Sequence, residues 1–521
     1  MSKQTRYITT PIYYVNDRPH IGHVYTTTLC DVYARAMRSL GHDVFFLTGT
    51  DEHGVKVEQS ALEKGMTPQA LADQNSAEFQ SIMGMFELTN DAFIRTTSKE
   101  HTKQVQTFVA TLLERGDVYL GTFEGWYDEG QEEYHTETSA RDLEFKSPIS
   151  GKPLVRATEN NYYFKLSAYQ ERLEKIFESN PAFVQPSSRR NEVLGRLREG
   201  LQDVPISRTN FSWGIPLPGD EEHVIYVWID ALFNYITALG LADHESDRYK
   251  ELSAFWPASY HIIGKEILWF HAVIWPAVLI ALDLPLPKCI YAHSFWISEG
   301  KKMSKSLGNF IDLETVESYI EKYNLDAWRY YLVTQGPLGA TDADFVSDRF
   351  QDIYNAHLVN TVGNSTSRVT AMINKYFDGV VPSEMDGKTR IEISGFDWPA
   401  KCDAAFLAWE KAMEAFELTK AIEEAMNLIR DVDLFINDTA PFTLAKDESK
   451  QKELGAILYQ CIETLRIATL LLSPVIPLKT KEFHDAIQAN TCSGNVQELV
   501  QWGGMKQGAT VRKVALFPRV V

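Results

Sequence analysis

The chain is short of cysteine, of long apolar runs and of positive charge. Its five cysteines (Cys30, Cys289, Cys402, Cys461 and Cys492) are scattered, odd in number and form no Cys-x-x-Cys pair. That argues against a disulfide framework or a zinc knuckle, and for reduced thiols in a cytoplasmic protein. No apolar run reaches the roughly 18 residues that would suggest a membrane span, so no membrane partner is expected. Lysine and arginine number 51 against 70 aspartates and glutamates, a net charge of −19. A chain-wide basic surface for nucleic acid is thereby excluded, although a local basic face is not. Neither an internal repeat nor a low-complexity segment stands out. Met1-Ser2-Lys3-Gln4-Thr5-Arg6 leads directly into the strand-like Tyr7-Ile8-Thr9-Thr10, so a signal or transit peptide is not expected.

What is present suits a large multidomain protein. At 521 residues, with 44% hydrophobic and 12% aromatic residues, the chain is long enough for two to four cores. Near the N-terminus a β-rich stretch from Arg6 to Ile12 precedes an amphipathic helix from about Ile21 to Leu40, capped by Gly41-His42. A buried strand, Val44-Phe45-Phe46-Leu47, comes next and ends in Thr48-Gly49-Thr50-Asp51. Strand, helix, strand in this span is a βαβ unit, which predicts an α/β fold on a parallel sheet with sites at the strand C-terminal ends. From about Tyr119 to Asp220 the texture changes to short strands and polar loops, the mark of an inserted unit. The α/β texture is expected to resume at Val224-Ile225-Tyr226-Val227-Trp228, then at Tyr260-His261-Ile262-Ile263-Gly264 and at Cys289-Ile290-Tyr291-Ala292-His293. After about Asp348 a helical bundle is predicted, because Phe406, Trp409, Met413 and Phe416, like Ile429, Val432 and Ile436, recur at spacings of three and four.

Two strings carry chemistry. Pro19-His20-Ile21-Gly22-His23 falls at the strand-to-helix turn, where a helix N-terminus offers partial positive charge and N–H groups to phosphate. His20 and His23 add donors one turn apart, and Gly22 leaves room for a base against the backbone. Taken alone, the same His-x-x-His serves equally to cap a helix or bind a metal. The second string is Lys302-Met303-Ser304-Lys305-Ser306, bracketed by Gly300 and Gly308. Its two ammonium groups suit a leaving pyrophosphate, although a solvated basic loop has the same composition.

Together these strings resemble the two signatures of the class I aminoacyl-tRNA synthetases, and the methionyl family in particular. The resemblance runs through Thr10-Pro11-Ile12-Tyr13-Tyr14-Val15-Asn16, Gly49-Thr50-Asp51-Glu52-His53-Gly54, Ile206-Ser207-Arg208 with Trp213-Gly214-Ile215-Pro216, Tyr226-Val227-Trp228-Ile229-Asp230-Ala231, and Gly264-Lys265-Glu266-Ile267-Leu268-Trp269-Phe270-His271. It implies a Rossmann-type catalytic domain split as 1–118 and 223–292, an inserted connective domain at 119–222, a signature-loop and stem-contact region at 293–348, and a helical anticodon-binding domain at 349–521. It also implies L-methionine, ATP with Mg²⁺, and tRNA(Met) as substrates. The first step needs no general base, since an amino-acid carboxylate is already ionised at neutral pH.

Residue by residue, the resemblance gives catalysis to His20, His23, Lys302 and Lys305, and ATP to these with Gly22, Gly264 and Ser304. Around methionine it places Ile12, Tyr14, Trp228, Ala231, Tyr235, Ile267, Phe270 and His271, with Asp51 on the ammonium group and Arg208 tied to the site. Tyr14 and His271 are expected to offer the sulfur a weak polar contact. Asn360, Asn364 and Arg368, four residues apart, match positions that contact the anticodon, as does Phe442. Asp433 and Phe442 stand where the family usually has Asn and Trp. The insertion is too short for the hydrolytic editing domain of the isoleucine, valine and leucine enzymes. Glu132, Glu133 and His135 lack thiolate company, so neither zinc nor another resident metal is expected. No room remains after the bundle for an appended dimerising domain, so a monomer is expected. The His-x-Gly-His turn also occurs in small nucleotidyltransferases, but those lack the bundle. A cysteine-specific class I enzyme would need zinc-binding cysteines, and a non-charging paralogue would be expected to have decayed signatures.

Overall fold

The computed structural model describes residues 3–16, 18–128, 133–135, 137–303, 309–383, 396–489 and 494–520. Seven parallel strands form its central sheet: β1 (Thr5–Thr9), β2 (Tyr13–Tyr14), β3 (Asp43–Asp51), β4 (Ala92–Arg95), β5 (Val184–Gln185), β6 (Tyr260–Gly264) and β7 (Ile290–His293). Their order is β2-β3-β1-β6-β7-β5, with β4 also beside β3. Ile8 of β1 sits in register with Phe46 of β3 on one side and Tyr260 of β6 on the other. Strand order therefore diverges at β1, and a crevice opens at the C-terminal ends of β1 and β6. Ile8, Phe46, Leu47, Ile262 and Ile263 are fully buried, as strands covered on both faces should be.

Helix α1 (Ile21–Ser39) follows β2 and packs on β1, β3 and β6, and Gly41 beyond it adopts the left-handed conformation that stops a helix. Nearly the whole circumference of α1 is buried, because it lies between the sheet and the C-terminal helices. One expected strand is something else. Asp220–Ile225 joins Ser207–Arg208 and Pro216–Leu217 in a small antiparallel sheet, and the chain then turns at Tyr226 into helix α2 (Val227–Leu232). Trp228 thus rides on a helix, since a five-residue apolar run has no period to separate the two states. Val118–Asp128, Glu133–His135, Val155–Phe164 and Val204–Pro205 form a four-stranded antiparallel sheet. Between its third and fourth strands in sequence, Val184–Gln185 returns to the central sheet.

Beyond α3 (Leu325–Gln335) come α4 (Asn364–Tyr376), α5 (Trp398–Glu414), α6 (Leu418–Thr439) and α7 (Gln451–Leu472). Phe406, Trp409 and Met413 on α5, and Ile429, Val432 and Ile436 on α6, are buried as their spacing predicts. Helix α7 has the length and apolar composition of a membrane span, but that apolar window is wholly enclosed by the protein. Inside it the Glu463 carboxylate accepts from Arg466 and from the backbone N–H groups of Gly503, Gly504 and Met505, which fastens the C-terminal segment to the bundle.

Two buried carboxylates join the layers. Asp31 of α1 accepts from Arg329 of α3 at 2.6 Å, and Arg329 also donates to the carbonyls of Pro474 and Val475 after α7. Asp326 accepts from the Lys479 N–H at 2.6 Å, at the start of helix Pro477–Ala486. Burial pushes the Asp326 carboxyl up to about 6, so the folded protein holds a proton there that the unfolded chain has released. Its destabilisation therefore grows as pH rises from about 4 to about 6 and is constant above. Asp326→Asn keeps an acceptor for Lys479. Its stability relative to wild type should accordingly rise across that window, as urea unfolding at pH 4, 5, 6 and 7.5 would show.

Candidate active site

The N-terminus of α1 is closed by its own two histidines. Nδ1 of His20 accepts from the Gly22 N–H at 3.0 Å, and Nδ1 of His23 accepts from the His20 N–H at 3.1 Å. The Ile21 N–H donates to the Ile311 carbonyl and the His23 N–H to that of His20. Capping is therefore real, and it corrects the expectation of free backbone donors at this turn. It also settles the tautomers. A backbone N–H can only donate, so both Nδ1 atoms are acceptors, and in the neutral rings the hydrogens lie on Nε2. The rings stand 3.9 Å apart. Burial, followed by the neighbouring His20, pulls His23 well below the ordinary histidine range, so His23 donates without carrying charge. Gly22 also has a cause inside the protein. A Cβ there would lie 2.8 Å from Cε1 of His20, so the glycine makes room for the imidazole.

Residues 309–312, beyond the second string, meet the first string and Lys302. The ring of Phe310 meets His20 edge-on at 5.3 Å, and Asp312 pairs with His20 in an isolated antiparallel bridge. Asn309 donates to the carbonyls of Ser298 and Lys302. Lys302 is exposed on the short strand Lys301–Lys302, and its charge acts on Glu266. Ser304 and Lys305 lie outside the described residues. Gly264 closes β6, and a Cβ there would lie 2.3 Å from a carboxylate oxygen of Glu266. Burial raises the Glu266 carboxyl against the pull of Lys265 and Lys302.

The apolar residues assigned to methionine cluster beside this crevice. Trp228 of α2 stacks on Phe270 at 4.3 Å and 13°. Ile12, Tyr14 and Ile267 pack with them against one core, and Ala231 is buried next to Trp228. Tyr14 pairs with Asp51, which ends β3 and is 7% exposed. Its neighbour Glu52 is engaged elsewhere, by Arg95, Thr50 and Thr97. The Arg208 guanidinium is buried over the Tyr226 ring at 4.3 Å.

Both ring nitrogens of His271 have protein partners. Its Nδ1–H donates to the Ile267 carbonyl at 3.0 Å, so Nε2 accepts the Tyr235 hydroxyl at 2.8 Å. Burial lowers His271 to about 4, which keeps it neutral; its work is to fix Tyr235. Sequence reasoning also passed over His53, His101 and Asp230, which meet in a buried cluster. Asp230 lies within the motif at 226–231, and an acidic residue in that apolar run was the unused signal.

In the bundle, Asn360 and Asn364 are exposed and Arg368 is half-buried. Asn360 belongs to a wide-turn helix, Tyr354–Gly363, that runs into α4. Arg368 donates to the Asn437 amide oxygen of α6 at 3.3 Å, a partner that sequence reasoning missed. Burial raises the Asp433 carboxyl, and Phe442 is 47% exposed. Among the described residues, no group of three or more His, Cys, Asp or Glu side chains is gathered as a metal-ligand set; Glu132 falls outside them.

The family model for class I tRNA synthetases (M) matches residues 6–148 and 135–370. The methionine–tRNA ligase of Halalkalibacterium halodurans is 41% identical over 539 residues, covering 100% of this chain and 79% of its own length. The chain belongs to the methionyl-tRNA synthetases. A second relative, the methionine–tRNA ligase of Rickettsia felis, is 41% identical over 99% of both chains. The Mycobacterium tuberculosis methionyl-tRNA synthetase, solved in complex with methionyl-adenylate, superposes with a TM-score of 0.90 at 34% identity, covering 99% of this chain and 100% of that one. Membership makes the chain an ATP-dependent aminoacyl-tRNA ligase on a class I α/β fold.

Proposed function

We propose that this enzyme joins L-methionine to tRNA(Met) through a methionyl-adenylate, working as a cytoplasmic monomer with ATP delivered as its Mg²⁺ complex. The observation that carries the reading is the pair of imidazoles at the N-terminus of α1, each taking a backbone N–H at Nδ1 and so keeping its hydrogen on Nε2, with Phe310 packed against His20. In the first step a methionine carboxylate oxygen attacks the α-phosphorus. The bond from that phosphorus to the bridging oxygen breaks, and pyrophosphate leaves with the electron pair. No proton moves, so the protein's task is alignment and charge stabilisation. His20 and His23 hold phosphate oxygens, and Lys302 and Lys305 follow the charge onto pyrophosphate. In the second step a hydroxyl oxygen at the tRNA 3′ end attacks the acyl carbon, the bond from that carbon to the phosphate oxygen breaks, AMP departs with the electron pair, and the hydroxyl proton is lost to the AMP phosphate or to water.

Asp51 takes the ammonium group, and Ile12, Tyr14, Trp228, Ala231, Tyr235, Ile267 and Phe270 surround the side chain. Ring contacts to sulfur contribute about 0.3–1.5 kcal/mol each, whereas one methylene is worth about 1–3 kcal/mol. The division into 1–118, 119–222, 223–292, 293–348 and 349–521 belongs to this reading, with Asn360, Asn364, Arg368 and Phe442 as the anticodon-reading face. ATP–pyrophosphate exchange with each of the twenty amino acids tests it. Methionine should support the fastest exchange, and a faster rate with any other amino acid would refute the specificity.

A further inference from the structure

Asp230 has no exposed surface, yet its carboxylate is shared between two imidazoles. Oδ2 accepts from Nδ1–H of His53 at 2.7 Å, and Oδ1 accepts from Nε2–H of His101 at 2.7 Å. His101 is held in turn, its Nδ1 lying 2.7 Å from the Thr237 hydroxyl. Burial alone would push the Asp230 carboxyl up; His53 and His101 outweigh it and hold the carboxyl below its usual range. The three partners come from three elements. His53 stands two residues beyond Asp51 at the end of β3, Asp230 lies on α2, and His101 lies on helix Lys99–Glu114.

This geometry places Asp230 between the two ends of the methionine site. Helix α2 carries Trp228 and Ala231, while the segment leaving β3 carries Asp51. The two touch without a spacer: at Gly54, where φ is +105°, a Cβ would lie 2.9 Å from the Tyr14 hydroxyl and 3.5 Å from Val227. A charge-assisted hydrogen bond buried at such a contact is short and directional. With its other oxygen held by His101, Asp230 cannot swing toward His53 if β3 drifts.

We propose that Asp230 is a positioning residue that, through His53, fixes the distance between the ammonium-binding Asp51 and the side-chain walls on α2. The clamp gauges the amino acid from its charged end to its thioether and does not touch the triphosphate. This inference rests on the assignment of Asp51, Trp228 and Ala231 to methionine made above.

The test is His53→Leu, which keeps the bulk and removes the donor. Its KM for methionine in pyrophosphate exchange should rise at least tenfold, with the KM for ATP changed less than twofold. His53→Asn, whose Nδ2–H falls where Nδ1–H of His53 lies, should return the methionine KM to within about threefold of wild type. A merely structural role would instead degrade both substrates together and would not be rescued by asparagine. If His53→Leu does not fold, His53→Gln, with its donor one carbon further out, reads the same quantity and should raise the methionine KM at least threefold. An unchanged methionine KM, or equal shifts for both substrates, overturns the clamp alone. A wild-type enzyme without methionine-dependent exchange overturns the pocket assignment beneath it.

Discussion

Replacing His20 by alanine and by asparagine should slow adenylate formation by the same factor, about 10²–10³, while only alanine weakens the protein. The factor is that of removing one preorganised donor aimed at charge that develops in the transition state. Two jobs meet in this ring. Nδ1 caps α1 by accepting from Gly22, and Nε2 presents the hydrogen. Asparagine is among the best N-cap residues, and its Oδ1 takes the Gly22 N–H, so the helix end stays closed. Alanine leaves that donor unmet and costs about 0.5–2 kcal/mol. Neither side chain reaches the position of Nε2. Rapid-quench measurement of adenylate formation, with thermal unfolding on the same samples, separates the two effects. An asparagine variant with the wild-type rate would reduce His20 to a cap.

Arg329→Met should cost about 3–5 kcal/mol of unfolding free energy near neutral pH, the usual consequence of removing one partner from a buried ion pair. Arg329 and Asp31 are both completely buried. The guanidinium supplies one of the Asp31 hydrogen bonds and also satisfies the Pro474 and Val475 carbonyls. Burial by itself would raise the Asp31 carboxyl; Arg329, then Arg35 and Thr89, overcome it and hold it below its usual value. A carboxyl depressed in the folded state stabilises above the unfolded pKa, near 3.9, and loses that contribution as pH falls through the folded value. The gap between wild type and variant should therefore be full at pH 7 and narrow below about pH 4. Urea unfolding at several pH values checks both the size and the sign. A gap that stays constant into acid would mean that Arg329 acts by packing rather than charge.

The parallel sheet and bundle were legible because burial writes itself into period. α1, β3, α5 and α6 all lie where the apolar spacing put them. Trp228 escaped because its run is too short to show a period, and only the folded chain assigns it to a helix. The site residues were legible as types and less so as roles. His20, Asp51 and the Trp228–Phe270 pair could be named from motifs, but how a ring spends its two nitrogens depends on neighbours far along the chain. The motif names His271 as a site residue, but only the folded chain shows its nitrogens partnered by Ile267 and Tyr235. The clamp around Asp230 joins residues 53, 101 and 230, a convergence that no local spacing records.

The central sheet terminates in very short strands, with four residues in β4 and two in β5. A margin that brief presents too few unpaired N–H and C=O groups to template a foreign strand. Parallel sheets assemble slowly because their partners are distant in sequence, and blunt margins limit what another chain can pair with while the sheet forms.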